Sequence, residues 1–324
     1  MSALVKVRDL NVKFVTRDRT VHAVSGVNFD LANGEMLCIL GESGSGKSVT
    51  LRALMRLNPP SRTVMTGTVE VGGHDIAAAP ERQMENIRGR EVSMIFQEPM
   101  TALDPVFTIG QQITETVIRH EGATRAQARK RALDLLDLVQ IPSAERRLAA
   151  YPHELSGGLR QRAMIAIALS CRPKLLLADE PTTALDATVQ IQILLLLRRL
   201  QQEMGMGVIF VTHDLGVAGE IADRIAVMYG GRFIETGSVR DVMRHPMHPY
   251  SQGLLGATVH AGLRGQRLTT IRGAPPNLET PPPGCAFAPR CDFAEPACQL
   301  AVPSFRGRQT HQARCIRVAE TVLC

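Results

Sequence analysis

The chain has 324 residues, 44% hydrophobic and 21% charged, the balance of a globular protein with more than one compact part. No window approaches the roughly 18 apolar residues of a membrane span, and the longest candidate, Ile191 to Leu197, contains Gln192 and closes on Arg198-Arg199. The formal charge of +6 permits nucleotides, anionic lipid or nucleic acid as partners, yet Lys and Arg are dispersed with no block of five like charges, as on a solvated, mildly basic surface.

Met1 to Asp9 lacks the apolar core of a secretory signal, so a cytosolic chain that meets any membrane through a partner is expected. Val5, Val7, Leu10, Val12 and Phe14, then the stretch from Val21 to Leu31, alternate as strands do. Asn33-Gly34 marks a turn, and Met36 to Leu40 is an apolar run suited to a strand buried on both faces. From about 99 to 172, apolar residues recur at helical spacing (Ile109, Ile113, Val117; Ala132, Leu135, Leu136). A strand at Leu175 to Ala178, a helix from Ala187 to Met204, a strand at Gly207 to Val211, a helix from Leu215 and a strand at Arg224 to Met228 follow. This alternation predicts an α/β core with a largely parallel sheet, interrupted by a helical insertion. Prolines and cysteines then mark residues 256–324 as a small, loop-rich appendage.

Three motifs carry chemistry. Gly41-Glu42-Ser43-Gly44-Ser45-Gly46-Lys47-Ser48 fits the phosphate-loop pattern between a buried strand and an expected helix from Val49 to Arg56. Its backbone N–H groups and the helix N-terminus favour phosphate; Lys47 would reach the β- and γ-phosphates and Ser48 would ligate Mg²⁺. Leu175-Leu176-Leu177-Ala178 delivers Asp179 and Glu180 to the C-terminal edge of a strand, where Asp179 would hold Mg²⁺ and Glu180 would polarise the attacking water. Leu155-Ser156-Gly157-Gly158 is a second anion-binding helix start. One nucleotide rarely needs two such starts in one chain, so a second chain supplying this one across an interface is the natural reading.

On these motifs the chain, over roughly residues 5–255, resembles an ABC transporter nucleotide-binding subunit. The resemblance implies an antiparallel β subdomain beside a P-loop NTPase (RecA-like) core, in a nucleotide-binding domain over 1–255. It implies that Ser156, Gly157, Gly158 and Gln161 contact the ATP held by a partner subunit. It implies that Gln97 senses Mg²⁺ and water as the Q-loop glutamine. Asp186, in Ala184-Leu185-Asp186, matches the D-loop, His213 the switch histidine, and Phe14 the aromatic that stacks on adenine. Gly41 to Ser48 with Val49 would bind ATP within the chain. The segments FQEPMTALDPVFTIGQ (96–111) and His245-Pro246-Met247-His248-Pro249-Tyr250 are similar to the dipeptide and oligopeptide importer subfamily. That resemblance implies an ATPase powering peptide import at the cytoplasmic face of the cell membrane. The implied partners are two transmembrane permease subunits, a related second ATPase subunit and, indirectly, an extracytoplasmic solute-binding protein. Nickel or other solute importers share parts of both segments. A soluble ABC-type ATPase acting on nucleic acid would carry long coiled coils, and none fits between Lys47 and Asp179.

Cys285, Cys291, Cys298 and Cys315 crowd the appendage. Their spacing is wider than the close pairs usual for zinc, and four thiolates suit an iron–sulfur cluster better. Pro283 to Cys291 resembles the extension of peptide-importer ATPases, which implies a [4Fe-4S] site; zinc and unligated thiols stay open. Cys38, Cys171 and Cys324 read as bystanders.

Overall fold

The computed structural model describes residues 3–183, 185–257 and 270–318. In chain order its first elements are β1 (Val5–Val15), β2 (Thr20–Leu31), β3 (Met36–Leu40), α1 (Lys47–Leu54), β4 (Thr63–Val71) and β5 (His74–Asp75). Next come α2 (Glu81–Ile87), β6 (Val92–Ile95), α3 (Pro99–Ala102), α4 (Ile109–Glu121), α5 (Arg125–Leu138), α6 (Ala144–Leu148) and α7 (Gly157–Ala168). Then follow β7 (Leu175–Asp179), α8 (Ala187–Met204), β8 (Gly207–Thr212), α9 (Leu215–Ile221) and β9 (Arg224–Tyr229). The last are β10 (Arg232–Ser238), α10 (Val239–Arg244), α11 (Pro249–Gly256), β11 (Arg306–Arg308) and β12 (His311–Ala313). The helix after the phosphate loop begins at Lys47, two residues before the expected Val49. Ala184 and Cys324 lie outside the described residues, as does 258–269 of the appendage.

The chain divides into two contact units. The first comprises Val71–Phe210 with Leu31–Glu35 and the residues up to Leu4. Its β6 and β7 pair in parallel, Val92 opposite Leu175 through Ile95 opposite Ala178, and every residue of both strands is buried. The helical insertion fills the sequence between these two strands. Thr108 opens α4 and Thr124 opens α5, each accepting from the N–H three residues on, while Gln111 and Gln127 return the bond to the cap's own N–H. These reciprocal bonds satisfy two otherwise orphaned donors per helix start. Ile109, Ile113 and Val117 on α4 and Ala128, Ala132, Leu135 and Leu136 on α5 are the buried faces, as the helical spacing predicts. Arg162 of α7 donates to the Val139 carbonyl at 2.8 Å and so ties α7 to the end of α5.

The second unit comprises Val5–Asp30, Met36–Glu70 and the described residues from Val211 onward. Here β3 runs parallel to β9, Leu37 opposite Arg224 through Leu40 opposite Val227. Antiparallel pairing then continues through β9–β10, β10–β12 and β12–β11. Strands of the cysteine-bearing stretch thus extend the sheet that carries the phosphate loop. In a separate sheet, β2, β1 and β4 are neighbours in that order.

A buried carboxylate ties the segment that leads into the appendage to a strand near its end. Glu235 of β10, wholly buried, accepts from the Met247 N–H at 2.8 Å and the His248 N–H at 2.9 Å, and its Oε1 lies 2.8 Å from His311 Nε2. His248 in turn caps α11, its Nδ1 accepting from the Tyr250 N–H at 3.0 Å. Protonating Nδ1 would remove that acceptor, and burial lowers the His248 pKa to about 4, partly opposed by Glu235. The folded chain therefore binds fewer protons than the unfolded one between about pH 4 and the ordinary histidine value of 6.5. His248's contribution is full above 6.5 and lost as pH falls toward 4. From about pH 7.5 to about pH 5, wild type should lose about 2 kcal/mol that His248→Asn keeps. Denaturation of both proteins at the two pH values checks this, and identical losses would assign the titration elsewhere.

Candidate active site

In the second unit, β3 delivers the chain to Gly41. A Cβ at Gly41 would stand 2.2 Å from the Met228 carbonyl, and Gly46 combines φ +106 with 2.4 Å from the Ala23 carbonyl. No side chain fits at either position, so the loop can curl between β9 and the β2 backbone only with glycine there. Gly46 opens α1 with no side-chain cap, which leaves the helix N-terminus to an anion. Ser45 is buried, and its Oγ has no hydrogen-bond partner among the described residues. An orphaned hydroxyl inside a phosphate loop fits a loop that expects a ligand oxygen. Lys47, 4% exposed, donates from Nζ to the carbonyls of Gly41 at 2.7 Å and Glu42 at 2.9 Å. Ser48 is the second residue of α1, Val49 the third, and Phe14 is half-buried on β1. His213 is exposed immediately past β8. Beside it, Asp214 caps α9 by accepting from Gly216 and Val217 N–H.

In the first unit, Asp179 ends β7, buried, and Glu180 follows half-buried. Glu180 has φ +44, a left-handed conformation that costs a non-glycine residue on the order of 1–3 kcal/mol. The turn that imposes it re-aims the carboxylate, and Glu180 Oε2 accepts from Thr183 Oγ1 at 3.0 Å. The sequence pattern places both acids at the strand's end and does not show this strain. Gln97 is exposed two residues beyond β6. Ser156 caps α7, accepting from the Leu159 N–H at 3.4 Å, and is itself exposed, as is Gly157. A Cβ at Gly158 would meet Val189 Cγ1 at 2.8 Å, so that glycine lets α7 press on the start of α8. Gln161 is different: it is 1% exposed, and its Nε2 has no partner among the described residues. The exposed part of this helix start is therefore Ser156 and Gly157. Asp186 caps α8 through the Val189 N–H at 3.0 Å.

Cys285, Cys291, Cys298 and Cys315 line one cavity of about 20 Å³ together with Phe287, Phe293 and Ile316. The Cys285 N–H donates to the Cys298 carbonyl at 2.7 Å, and a Cβ on Gly284 would stand 2.2 Å from that oxygen. Burial raises the Cys285 and Cys291 thiol pKa values, and the neighbouring thiols add to the rise. Among the described residues no group of three or more His, Cys, Asp or Glu side chains is arranged to hold a metal ion, these four included. Cys38, wholly buried on β3, and Cys171 are free thiols whose pKa burial raises, as inert core cysteines behave.

The residues that sequence reasoning missed lie around Glu42. The Tyr250 hydroxyl accepts from the Glu42 N–H at 2.9 Å, and Arg290 Nη1 donates to Glu42 Oε2 at 2.9 Å. Tyr250 stood out as part of a histidine-proline-tyrosine segment. Nothing in the sequence paired Arg290 with a residue 248 positions away.

The folded units and their motifs define a phosphate-loop ATPase with an α/β core, an antiparallel β sheet and a helical insertion. A family model described as ABC transporter matches residues 24–183, and one described as oligopeptide/dipeptide transporter, C-terminal region, matches 234–298. The dipeptide transport ATP-binding protein DppD of Bacillus subtilis is 47% identical over 97% of this chain and 95% of its own length. The oligopeptide transport ATP-binding protein OppD of Salmonella typhimurium is 49% identical over 93% of this chain and 90% of its own. Among solved structures, the dimeric ATP-binding cassette MJ0796 bound to ADP and Pi has a TM-score of 0.66 at 31% identity, covering 73% of this chain and 99% of that one. The chain belongs to the ABC transporter family, in its oligopeptide/dipeptide branch, and is a transporter ATPase. Among the described residues, no helix is long and apolar enough to cross a membrane.

Proposed function

We propose that this chain binds and hydrolyses ATP to power the import of di- and oligopeptides from the cytoplasmic face of the cell membrane. The observation that carries the reading is a sterically enforced phosphate loop with an orphaned Ser45 hydroxyl, in a chain nearly half identical to named peptide-transport ATP-binding proteins. Gly41 to Val49 cradle the phosphates, Lys47 neutralises the β- and γ-phosphates, and Phe14 supports the adenine. Ser48, Asp179 and Gln97 would hold Mg²⁺, which supplies charge neutralisation on the phosphates. Glu180 polarises the attacking water and His213 steadies the γ-phosphate. Ser156, Gly157 and Gly158, with Gln161 behind them and Asp186 alongside, serve the nucleotide of a related partner ATPase.

The nucleotide-binding domain spans 1–255, with its helical insertion at 99–172, and 256–324 forms the extension. Phe96, Met100, Val106 and Phe107 flank Gln97 and are exposed apolar side chains, a surface suited to two permease subunits, which a solute-binding protein would supply. In the extension, Cys285, Cys291, Cys298 and Cys315 would hold a [4Fe-4S] cluster. Four soft donors line one cavity, and burial with the nearby Cys298 and Cys315 thiols raises the pKa of Cys285 and Cys291, a rise that a bound cation would relieve. The loops would have to widen, since about 20 Å³ scarcely exceeds one water.

The test is to solubilise native membranes in mild detergent, purify the tagged chain, identify what accompanies it, and assay iron and acid-labile sulfide per chain. Two permeases and a second ATPase are expected, with iron and sulfide in equal amounts. The chain recovered alone, or with nucleic acid, would overturn the transporter assembly, and metal-free protein from anaerobic preparation would overturn the cluster.

A further inference from the structure

Glu42 sits inside the phosphate loop, where a carboxylate is an odd choice beside a polyanion. Its surroundings explain the choice. Three atoms of this one residue are held: the N–H by Tyr250 Oη at 2.9 Å, the carbonyl by Lys47 Nζ at 2.9 Å, and the carboxylate by Arg290 Nη1 at 2.9 Å. Two of these three holders come from the C-terminal part of the chain.

Arg290 is built for this contact. Its side chain is 6% exposed, and every arm of the guanidinium is used: Nε donates to the Arg272 carbonyl at 2.8 Å, Nη2 to the Ile271 carbonyl at 3.3 Å, and Nη1 also to Tyr229 Oη at 3.2 Å. The planar fork fixes all these directions together, which a lysine ammonium cannot reproduce. Tyr229 and Tyr250, both fully buried, pack with ring centroids 4.6 Å apart. Phe287, three residues before Arg290, stands on both rings at 5.3 and 5.4 Å, near edge-on. The stretch between Cys285 and Cys291 therefore shares an aromatic core with the end of β9 and plants a charge on the phosphate loop.

We infer that the cysteine-bearing lobe is a clamp on the phosphate loop, with Arg290 as its positioning residue acting through Glu42. Arg290 holds the carboxylate and Tyr250 accepts from the Glu42 N–H, so the loop keeps the curl that Lys47 and α1 require. The clamp tightens ATP binding without touching the reacting atoms. The inference rests on the phosphate-loop reading but not on what the cysteines hold.

The test uses the full chain in its purified complex and reads KM for ATP, kcat and melting for Arg290→Ala, Arg290→Lys, Glu42→Gln, Tyr250→Phe and the Arg290→Ala/Glu42→Gln pair. Losing a charge-assisted bond should raise KM for ATP roughly tenfold in Arg290→Ala, with kcat within about twofold of wild type. Glu42→Gln should match it, the pair should be no worse than either single change, and Arg290→Lys should recover part of the loss. Tyr250→Phe deletes one hydroxyl only and keeps the test alive if Arg290→Ala does not fold; it too should raise KM. An unchanged KM in the folded single variants, or strictly additive losses in the pair, would overturn the inference. Lys47→Ala is the control: if it bound ATP as wild type does, the phosphate-loop reading itself would fail, a result distinct from a silent Arg290.

Discussion

Glu180→Gln should leave ATP binding intact and slow hydrolysis by about 10²- to 10⁴-fold, the usual cost of removing a general base. Two features single out this carboxylate. It follows a strand buried along its whole length, and it is held at φ +44, where the turn through Thr183 fixes its direction. The amide keeps the size and the Thr183 contact but cannot take a proton from water. Binding of a fluorescent nucleotide and phosphate release, measured on the same preparation, separate the two effects. Turnover within a few-fold of wild type would remove Glu180 from the mechanism. Thr183→Ala is the milder partner experiment, since it frees the carboxylate without deleting it.

Glu235→Ala should destabilise the phosphate-loop unit by about 3–5 kcal/mol, the range for breaking a buried charged network on one side. The carboxylate is wholly buried, and its loss strands the Met247 and His248 N–H groups and the ring of His311. Against a total stability of roughly 5–15 kcal/mol, that is a large fraction. Glu235→Gln should cost less, because its amide oxygen still accepts while its NH₂ faces a donor. Thermal melting of the three proteins checks the order wild type, Gln, Ala. A Glu235→Ala protein that melts with wild type would mean that water replaces the carboxylate and that the anchor is not structural.

The two predictions differ in how far the sequence led to them. Glu180 was legible because a strand of four apolar residues ending in two acids is a local pattern. Gly41 to Ser48, Ser156 capping a helix, and the helical spacing of 99–172 are local in the same sense. Turn sterics, caps and periodicity act over a few residues, and a chain writes them consecutively. Gln161 shows the limit of that legibility. It belongs to the same motif as Ser156, yet five residues further along the helix the side chain is buried.

Long-range pairings were not legible. Glu235 is a lone acid in the middle of β10, and Arg290 a lone base before a cysteine, with nothing local to mark either. Only folding brings His311 to the first, 76 positions on, and Glu42 to the second, 248 positions back. The cysteine-rich stretch read as an appendage because prolines break its local periodicity, yet β12 joins the sheet through β10 and Phe287 enters a tyrosine core. Sequence alone determined the class of chemistry, since phosphate binding and water activation depend on short backbone patterns. Tertiary structure alone decided what steadies that chemistry, because a buried charge finds its partner in space and its sequence neighbours say nothing of who that partner is.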